Sequence, residues 1–244
     1  MSLKQLIDDI VTANHILANE KVVDAFGHIS ARHPDDPNKY LLSRARAPEL
    51  IEADDIMTFA LDGAPQDGDT RKPYLERFIH GSIYKARPDV KAIVHSHSRS
   101  VIPFGITKMR LRPVVHSCAC IGHQVDVWDA QTTFGDTNLL VSSEAMGDDL
   151  ATVLGTGRSV LMRGHGSTAI GTSVRGVVYN AVYLEANAEL QIKAVGLGDV
   201  TYLTAGEIDK INSRLEDGLA GEGYGRAWDY WKQRAEEARL KLSA

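Results

Sequence analysis

Residues 91–98 read KAIVHSHS, and this stretch organises the rest of the chain. A β-branched, apolar run leads directly into His95 and His97, which predicts a buried strand ending at the two histidines. Because strand side chains alternate between faces with a period of two, both imidazoles are expected on the same side. Two imidazoles on one face supply half of a metal site.

A second apolar segment ends in a turn that carries another histidine. Residues 161–167 read LMRGHGS, so His165 stands between two glycines. Three imidazoles plus an open position are typical of catalytic sites for zinc and related first-row metals. The glycines either let the backbone approach an ion closely or mark a turn that needs positive φ. We therefore predict that His95, His97 and His165 bind a divalent metal ion.

Composition excludes several classes of protein. The 244 residues are 43% hydrophobic and 24% charged, with a net charge of -5, so no basic surface for nucleic acid is expected. No apolar run is long enough to cross a bilayer, and acids stand where a signal peptide would be basic. Cys118 and Cys120 are too close for an easy disulfide and are read as buried thiols. These features predict a cytoplasmic protein without a membrane or nucleic-acid partner.

Hydrophobic spacing predicts helices and strands interleaved along residues 1–244. The predicted helices cover residues 3–19, 73–86, 144–155 and 173–195, with further helices after 204 and from about 225. The predicted strands form a meander within residues 22–61 and single strands at 91–97, 139–141, 159–162 and 167–171. No linker or repeat divides the chain, which favours a single α/β domain with a mixed, largely antiparallel sheet.

Glu76 lies in the predicted helix just before the histidine strand, with His80 one turn further along the same face. A carboxylate beside a divalent ion can be a fourth ligand, or it can leave the ion and act as a general acid or base. The alternative is an ordinary solvated helix residue. His80 is predicted to be a packing residue or a support for a ligand.

Two segments upstream carry groups suited to binding an anion. GHISAR at residues 27–32 contains His28 and Ser30, and SRARAPE at residues 43–49 contains Ser43 and Arg44. A guanidinium donates in a fixed fork that matches a carboxylate or a phosphate. We predict these four residues to bind the substrate. His116, in the less regular middle segment, is a weaker candidate for a pocket residue or proton donor.

Two long motifs resemble the class II aldolase/adducin family: KPYLERFIHGSIYKARPDVKAIVHSHS at residues 72–98 and LMRGHGSTAIG at residues 161–171. The resemblance extends from the first helix to about Val195. It implies a three-layer α/β/α sandwich over residues 1–244, with a C-terminal helical extension from about residue 204. It also implies one divalent ion per subunit (Zn, Mn, Fe or Co) on the three histidines, Glu76 as the acid/base residue, and a homotetramer with active sites at subunit interfaces.

Two departures favour one branch of that family. The sugar-phosphate aldolases resemble one another in a G-N-[IV]-S segment and a glycine-containing phosphate turn, where this chain has GHIS and SRARAPE. Losing the glycine removes backbone donors for phosphate, and the arginines favour a carboxylate. This variant resembles the decarboxylases of hydroxy-aromatic, pyridine-dicarboxylic or carboxymuconate semialdehyde acids, which implies a lyase of aromatic catabolism acting through a metal-stabilised enolate. An aldolase for a hydroxy-oxo acid or sugar phosphate, and a non-catalytic adducin-like scaffold, are the alternatives.

Overall fold

The computed structural model describes residues 1–216 and 220–242, in which helices and strands alternate. The helices are α1 (Leu3–Asn19), α2 (Arg77–Ala86), α3 (Ile102–Gly105), α4 (Ala130–Phe134), α5 (Glu144–Leu154), α6 (Val174–Leu197), α7 (Ala205–Glu216) and α8 (Ala220–Leu242). The strands are β1 (His28–Arg32), β2 (Lys39–Ser43), β3 (Ile56–Ala60), β4 (Ala92–Ser96), β5 (Asp126–Trp128), β6 (Ser159–Met162) and β7 (Gly166–Gly171). The predicted interleaving is therefore confirmed.

The strands form one sheet in the order β3-β2-β1-β4-β7-β6-β5. Every neighbouring pair is antiparallel except β5 and β6, which run parallel. The meander predicted within residues 22–61 is the β1-β2-β3 edge of this sheet. Strand β4 lies at the centre, between β1 and β7, so the histidine strand has a hydrogen-bonded neighbour on each side. The expected mixed, mostly antiparallel sheet is confirmed.

Both faces of the sheet are covered by helices. On one face, α1, α6 and α8 pack on a cluster that includes Ile10, Val94 and Val178. On the other face, α2 and α5 pack on a cluster that includes Ile79 and Ile93. Because Ile93 and Val94 are consecutive in β4, they point to opposite faces, and both are buried. A continuous apolar run is what a strand covered on both sides requires, and the three-layer sandwich is confirmed.

Two predicted elements are wrong in detail. The helix expected from Pro73 begins at Arg77, with Glu76 as its N-cap residue, because the backbone at Pro73 forms a bridge with Arg44. Residues 139–141 do not form a strand, since Leu139 has a positive φ of 65° and its neighbours bond to side chains. Strand β5, only three residues long, was not anticipated.

The last two helices, α7 and α8, follow residue 204. Trp228 and Trp231 of α8 are 3% and 6% exposed and join the cluster of α1 and α6. Tyr179 and Tyr183 of α6 lie beside Trp231. None of the helices in the described residues combines the length and apolar character needed to cross a bilayer.

Gly81→Ala should destabilise the fold, because a Cβ on α2 at this position would lie 2.1 Å from the carbonyl oxygen of Leu61. Backbone atoms cannot rotate away, so we expect a loss of about 1–3 kcal/mol. Gly196→Ala in α6 is the matched control, since its Cβ meets nothing within 4 Å and alanine favours helix by about 0.5–1 kcal/mol. Urea denaturation of both variants measures the difference; equal stabilities would contradict the packing.

Candidate metal centre

The central position of β4 fixes the first two histidines. His95 pairs with His28 of β1 on one side and with Thr168 of β7 on the other, and its side chain is fully buried. His97 follows just after the strand ends. The two Nε2 atoms lie 3.2 Å apart, so the imidazoles converge as the period of two predicted. Backbone pairing on both sides leaves His95 little freedom to move.

The turn between β6 and β7 brings in the third histidine. His165 Nε2 lies 2.9 Å from His97 Nε2. Gly164 has φ of +67°, which a tight turn requires, and a Cβ on Gly166 would lie 2.1 Å from the carbonyl oxygen of Ser96. Both glycines therefore serve the turn and the close packing of β7 on β4.

Glu76, at the N-cap position of α2, joins His95, His97 and His165 in one group, the metal cluster. Its Oε1 accepts a hydrogen bond from the Val141 N–H at 3.0 Å, which orients the carboxyl group. Its Oε2 lies 3.5 Å from His95 Nε2 and 3.6 Å from His165 Nε2. Burial raises the pKa of the Glu76 carboxyl, while the nearby His165 and the Val141 N–H act in the opposite direction. The carboxyl group therefore faces the histidines in a site largely shielded from water.

The outer nitrogens of two histidines show how the cluster is protonated. His95 Nδ1 lies 3.1 Å from the Ser167 carbonyl oxygen, and His165 Nδ1 lies 2.9 Å from the Leu139 carbonyl oxygen. A carbonyl only accepts, so both Nδ1 atoms carry the proton and both Nε2 lone pairs point inward at His97. One proton on His97 Nε2 can satisfy only one of them. An inward set of lone pairs that protons cannot satisfy is the pattern expected of metal ligands.

The donor set fits a divalent ion. The ligand atoms of Glu76, His95, His97 and His165 all lie within 4.8 Å of one another. Two nitrogens that bind one zinc ion at about 2.0–2.1 Å in tetrahedral geometry are about 3.3 Å apart, close to the separations found here. Burial lowers the pKa of His95 and His97, which keeps both imidazoles neutral and able to donate lone pairs.

His28 lies next to this cluster. Its ring centroid is 5.1 Å from that of His95 and 4.5 Å from that of Tyr74. Behind it, His28 Nδ1 is 2.7 Å from His80 Nε2. Burial, reinforced by the neighbouring His80, holds the pKa of His28 well below its ordinary value, and burial lowers the pKa of His80 to about 3. Both side chains are therefore neutral, and His80 supports His28 rather than the ion.

Residues 43–49 form the arginine loop, which is held in place by the buried carboxyl group of Asp55. Arg44 Nε is 2.6 Å from Asp55 Oδ1, and Arg46 donates to Asp55 Oδ2 at 2.7 Å. Burial alone would raise the pKa of Asp55, but hydrogen bonds from the Glu52 N–H and the two guanidinium groups bring it below the usual value. The Arg44 side chain remains 39% exposed. The loop therefore presents a positioned guanidinium whose charge is partly neutralised by Asp55.

Tyr74 links this loop to the cluster, and the sequence reasoning missed it. Its hydroxyl donates to the Arg46 carbonyl oxygen and also bonds to Ser43, while its ring lies against His28. Its place two residues before Glu76 in KPYLE was the available signal. Asp55, Leu139 and Ser167 were also missed, the last two because they act through backbone carbonyls.

The structure brings most of the predicted site residues together, with two exceptions. Ser30 is fully buried, and its hydroxyl contacts His80 at 2.6 Å and Tyr84 at 2.8 Å, so it lies behind His28. His116 is exposed at the start of a mostly buried 3-10 helix, His116–Ile121, and none of the contacts in the described residues joins it to the metal cluster of its own subunit.

His97→Ala should abolish stoichiometric metal binding, because it removes the ligand between His95 and His165. The matched control is His123→Ala, since His123 is an exposed histidine bonded to Asp209 outside the cluster. Elemental analysis of purified protein and the thermal shift on chelator treatment measure the effect. Metal content that survives His97→Ala, or that falls equally in His123→Ala, would contradict the assignment.

The chain is similar to known proteins both in sequence and in fold. A family model described as Class II Aldolase and Adducin N-terminal domain matches residues 8–192. Decarboxylase tropJ of Talaromyces stipitatus is 32% identical over 249 residues, 94% of each chain. The 3,4-dihydroxyphthalate decarboxylase of Arthrobacter keyseri is 28% identical over 199 residues, 78% of each chain. An aldolase II superfamily protein from Pseudomonas syringae superposes with a TM-score of 0.79 at 22% identity, covering 98% of this chain and 95% of that chain, which shows a shared fold.

Proposed function

The chain belongs to the class II aldolase and adducin N-terminal domain family, and from that membership we propose a divalent-metal-dependent decarboxylase of a hydroxy- or oxo-substituted carboxylic acid. The decarboxylases among its relatives identify it as an enzyme of the lyase class. The observation that carries the proposal is the convergence of Glu76 with the inward nitrogens of His95, His97 and His165. An intact donor set of this kind also opposes a non-catalytic scaffold.

In this proposal the three histidines hold the ion, and Glu76 either completes the coordination or moves the proton. A bound divalent ion supplies Lewis acidity toward oxygen atoms beside the bond that breaks. Glu76 is oriented for proton transfer, because the Val141 N–H holds Oε1 and leaves Oε2 facing the cluster. Its burial beside the cluster excludes water from the atom that would give or take the proton. The donor set suits Zn, Mn, Fe or Co equally.

The proposed substrate is a small carboxylate, with Arg44, His28 and Ser43 around its carboxyl group. The support is spatial: Tyr74 contacts both His28 and the backbone of the arginine loop, so the loop borders the metal cluster. A planar guanidinium pairs with a carboxylate through two parallel hydrogen bonds. The relatives that act on 3,4-dihydroxyphthalate favour an aromatic acid, and a place in aromatic catabolism follows as part of the proposal.

Arg44→Gln should raise KM for a dihydroxylated aromatic dicarboxylate such as 3,4-dihydroxyphthalate by about 10- to 150-fold, the effect of a lost charged hydrogen bond of about 1.5–3 kcal/mol. Arg110→Gln is the control, because Arg110 is exposed and bonds to Asp126 at the far edge of the sheet. The assay follows carbon dioxide release from a panel of hydroxy and oxo acids. Retro-aldol products without carbon dioxide would establish the aldolase alternative.

We propose that the chain forms one domain and assembles as a homotetramer with active sites at subunit interfaces. Trp228 and Trp231 of α8 share a hydrophobic cluster with α1 and α6, which supports one domain. The C-terminal half of α6 exposes Leu190, Ile192 and Leu197, and apolar side chains exposed together along a helix favour burial against another copy. The cytoplasm is the proposed location, on the composition and cysteine usage described above.

Shared active sites give His116 a place in the proposal. Since it is exposed and, among the described residues, makes no contact with its own cluster, it would act in the site of a neighbouring subunit. His116→Ala and His97→Ala are each expected to be inactive as homo-oligomers, and co-expression of the two should restore activity. Random mixing leaves about a quarter of the sites with both residues intact. Activity is measured on hetero-oligomers purified through a different tag on each variant. If these hetero-oligomers recover no activity, His116 lies outside the active site.

A further inference from the structure

A line of four buried polar side chains starts beside the metal cluster and ends in the core. His28 Nδ1 is 2.7 Å from His80 Nε2, His80 Nδ1 is 2.6 Å from Ser30 Oγ, and Ser30 Oγ is 2.8 Å from the Tyr84 hydroxyl. All four side chains are at most 3% exposed. Each of these groups can both donate and accept, so the three successive short hydrogen bonds form a hydrogen-bond chain in which all donors point the same way.

The Tyr84 end determines that direction. In the described part of the structure, the Tyr84 hydroxyl has Ser30 as its hydrogen-bond partner and no second acceptor. If the bonds ran from His28 toward Tyr84, the Tyr84 proton would be buried without an acceptor, which is strongly unfavourable. If they run from Tyr84 toward His28, Tyr84 donates to Ser30, Ser30 to His80 Nδ1, and His80 Nε2–H to His28 Nδ1. The one proton left over is then on His28 Nε2, beside the metal cluster where a ligand can accept it, and not on Tyr84 in the core.

This direction decides where His28 carries its own proton. Because Nδ1 accepts from His80, a neutral His28 must hold its proton on Nε2. That Nε2–H has no hydrogen-bond partner among the described residues. The ring lies between Tyr74 and His95, 4.5 Å and 5.1 Å away by centroid, at the border of the metal cluster and the arginine loop. A donor without a protein partner at this border is available to a ligand.

We propose that Ser30 and His80 are positioning residues that hold His28 as the Nε2–H tautomer, so that His28 donates a hydrogen bond to a carboxylate oxygen of the substrate. The identity of the acceptor rests on the proposed function, whereas the tautomer does not. An acceptor-only oxygen is matched to this donor, and a substrate group that could only donate would leave two protons facing each other. The hydrogen-bond chain thus favours an acceptor oxygen over a donor group at this position.

The tautomer can be read directly in the free protein. Two-bond proton–nitrogen correlation spectra of protein labelled with nitrogen-15 in histidine distinguish Nε2–H from Nδ1–H, in both metal-free and zinc-loaded protein. We expect His28, assigned by its absence in His28→Gln, to be the Nε2–H form in both samples. A His28 that is mainly Nδ1–H would overturn the proposal, whatever reaction the enzyme catalyses.

A pair of variants tests the role of the buried chain. The double variant Ser30→Ala/Tyr84→Phe removes both hydroxyls, and removing both partners of a buried hydrogen bond is milder than removing one. The fraction of His28 in the Nδ1–H form should rise on the order of tenfold. Tyr84→Phe alone is the matched control, since Ser30 still donates to His80 and the tautomer should persist.

If the double variant does not fold, His80→Gln replaces it, because an amide can either donate to His28 or accept from it. An unchanged tautomer ratio in the variant that folds would show that the chain does not set the His28 proton and would overturn the proposal. A shift in Tyr84→Phe as large as in the double variant would overturn the direction argued for the chain.

Ligand binding separates this inference from the proposed reaction. The probes are 2,3-dihydroxybenzoate, which has a carboxylate, and catechol, which lacks one. Calorimetry on zinc-loaded protein measures the affinity for each probe. The double variant should bind 2,3-dihydroxybenzoate about 3- to 30-fold more weakly, and its affinity for catechol should be unchanged. Equal weakening of both probes would overturn the carboxylate contact. A protein with the expected tautomer that releases no carbon dioxide from any acid would refute the proposed function and leave the inference standing.

Discussion

The structure depends on one electrostatic constraint: imidazole lone pairs converge in a buried place where protons cannot satisfy them all. The Ser167 and Leu139 carbonyls hold the outer nitrogens of His95 and His165, so the inner nitrogens must face each other across His97. A cation relieves that repulsion, and the fold is built to keep the histidines from turning away. Strand β4 is hydrogen-bonded to a strand on each side, and the turn between β6 and β7 packs against the C-terminal end of β4.

The segment at residues 139–141 shows how local preference yields to the needs of this site. Its apolar residues favour a strand, yet its backbone groups bond to side chains: the Leu139 carbonyl to His165 and the Val141 N–H to Glu76. If residues 139–141 formed a strand, those backbone groups would bond to a neighbouring strand and not to the side chains of the site. Likewise, α2 begins at Arg77 so that Glu76 stands at its N-terminal end, where its carboxyl group can turn toward the histidines.

The second half of the site is built around charge rather than coordination. Asp55 holds Arg44 and Arg46 in place, and Tyr74 joins their loop to His28. Metal chelation is common to aldol cleavage and decarboxylation, because both leave electrons that an adjacent oxygen must accept. The group that leaves is what differs, so in the proposed function the selectivity between the two reactions lies with the arginine loop and His28, at the border of the cluster. The decarboxylases among the relatives support the proposed carboxylate substrate.

The sequence by itself predicted the fold class and that His95, His97 and His165 lie together. Alternation in KAIVHSH places two imidazoles on one side of a doubly covered strand, and glycines on both sides of His165 favour a tight turn, both of which are local properties of the backbone. Only the tertiary structure decided where Glu76 points, that Ser30 lies behind His28, and which carbonyls orient the histidines. These depend on contacts between residues far apart in the chain, such as Ser30 with His80 and His165 with Leu139, and backbone carbonyls leave no mark in the sequence.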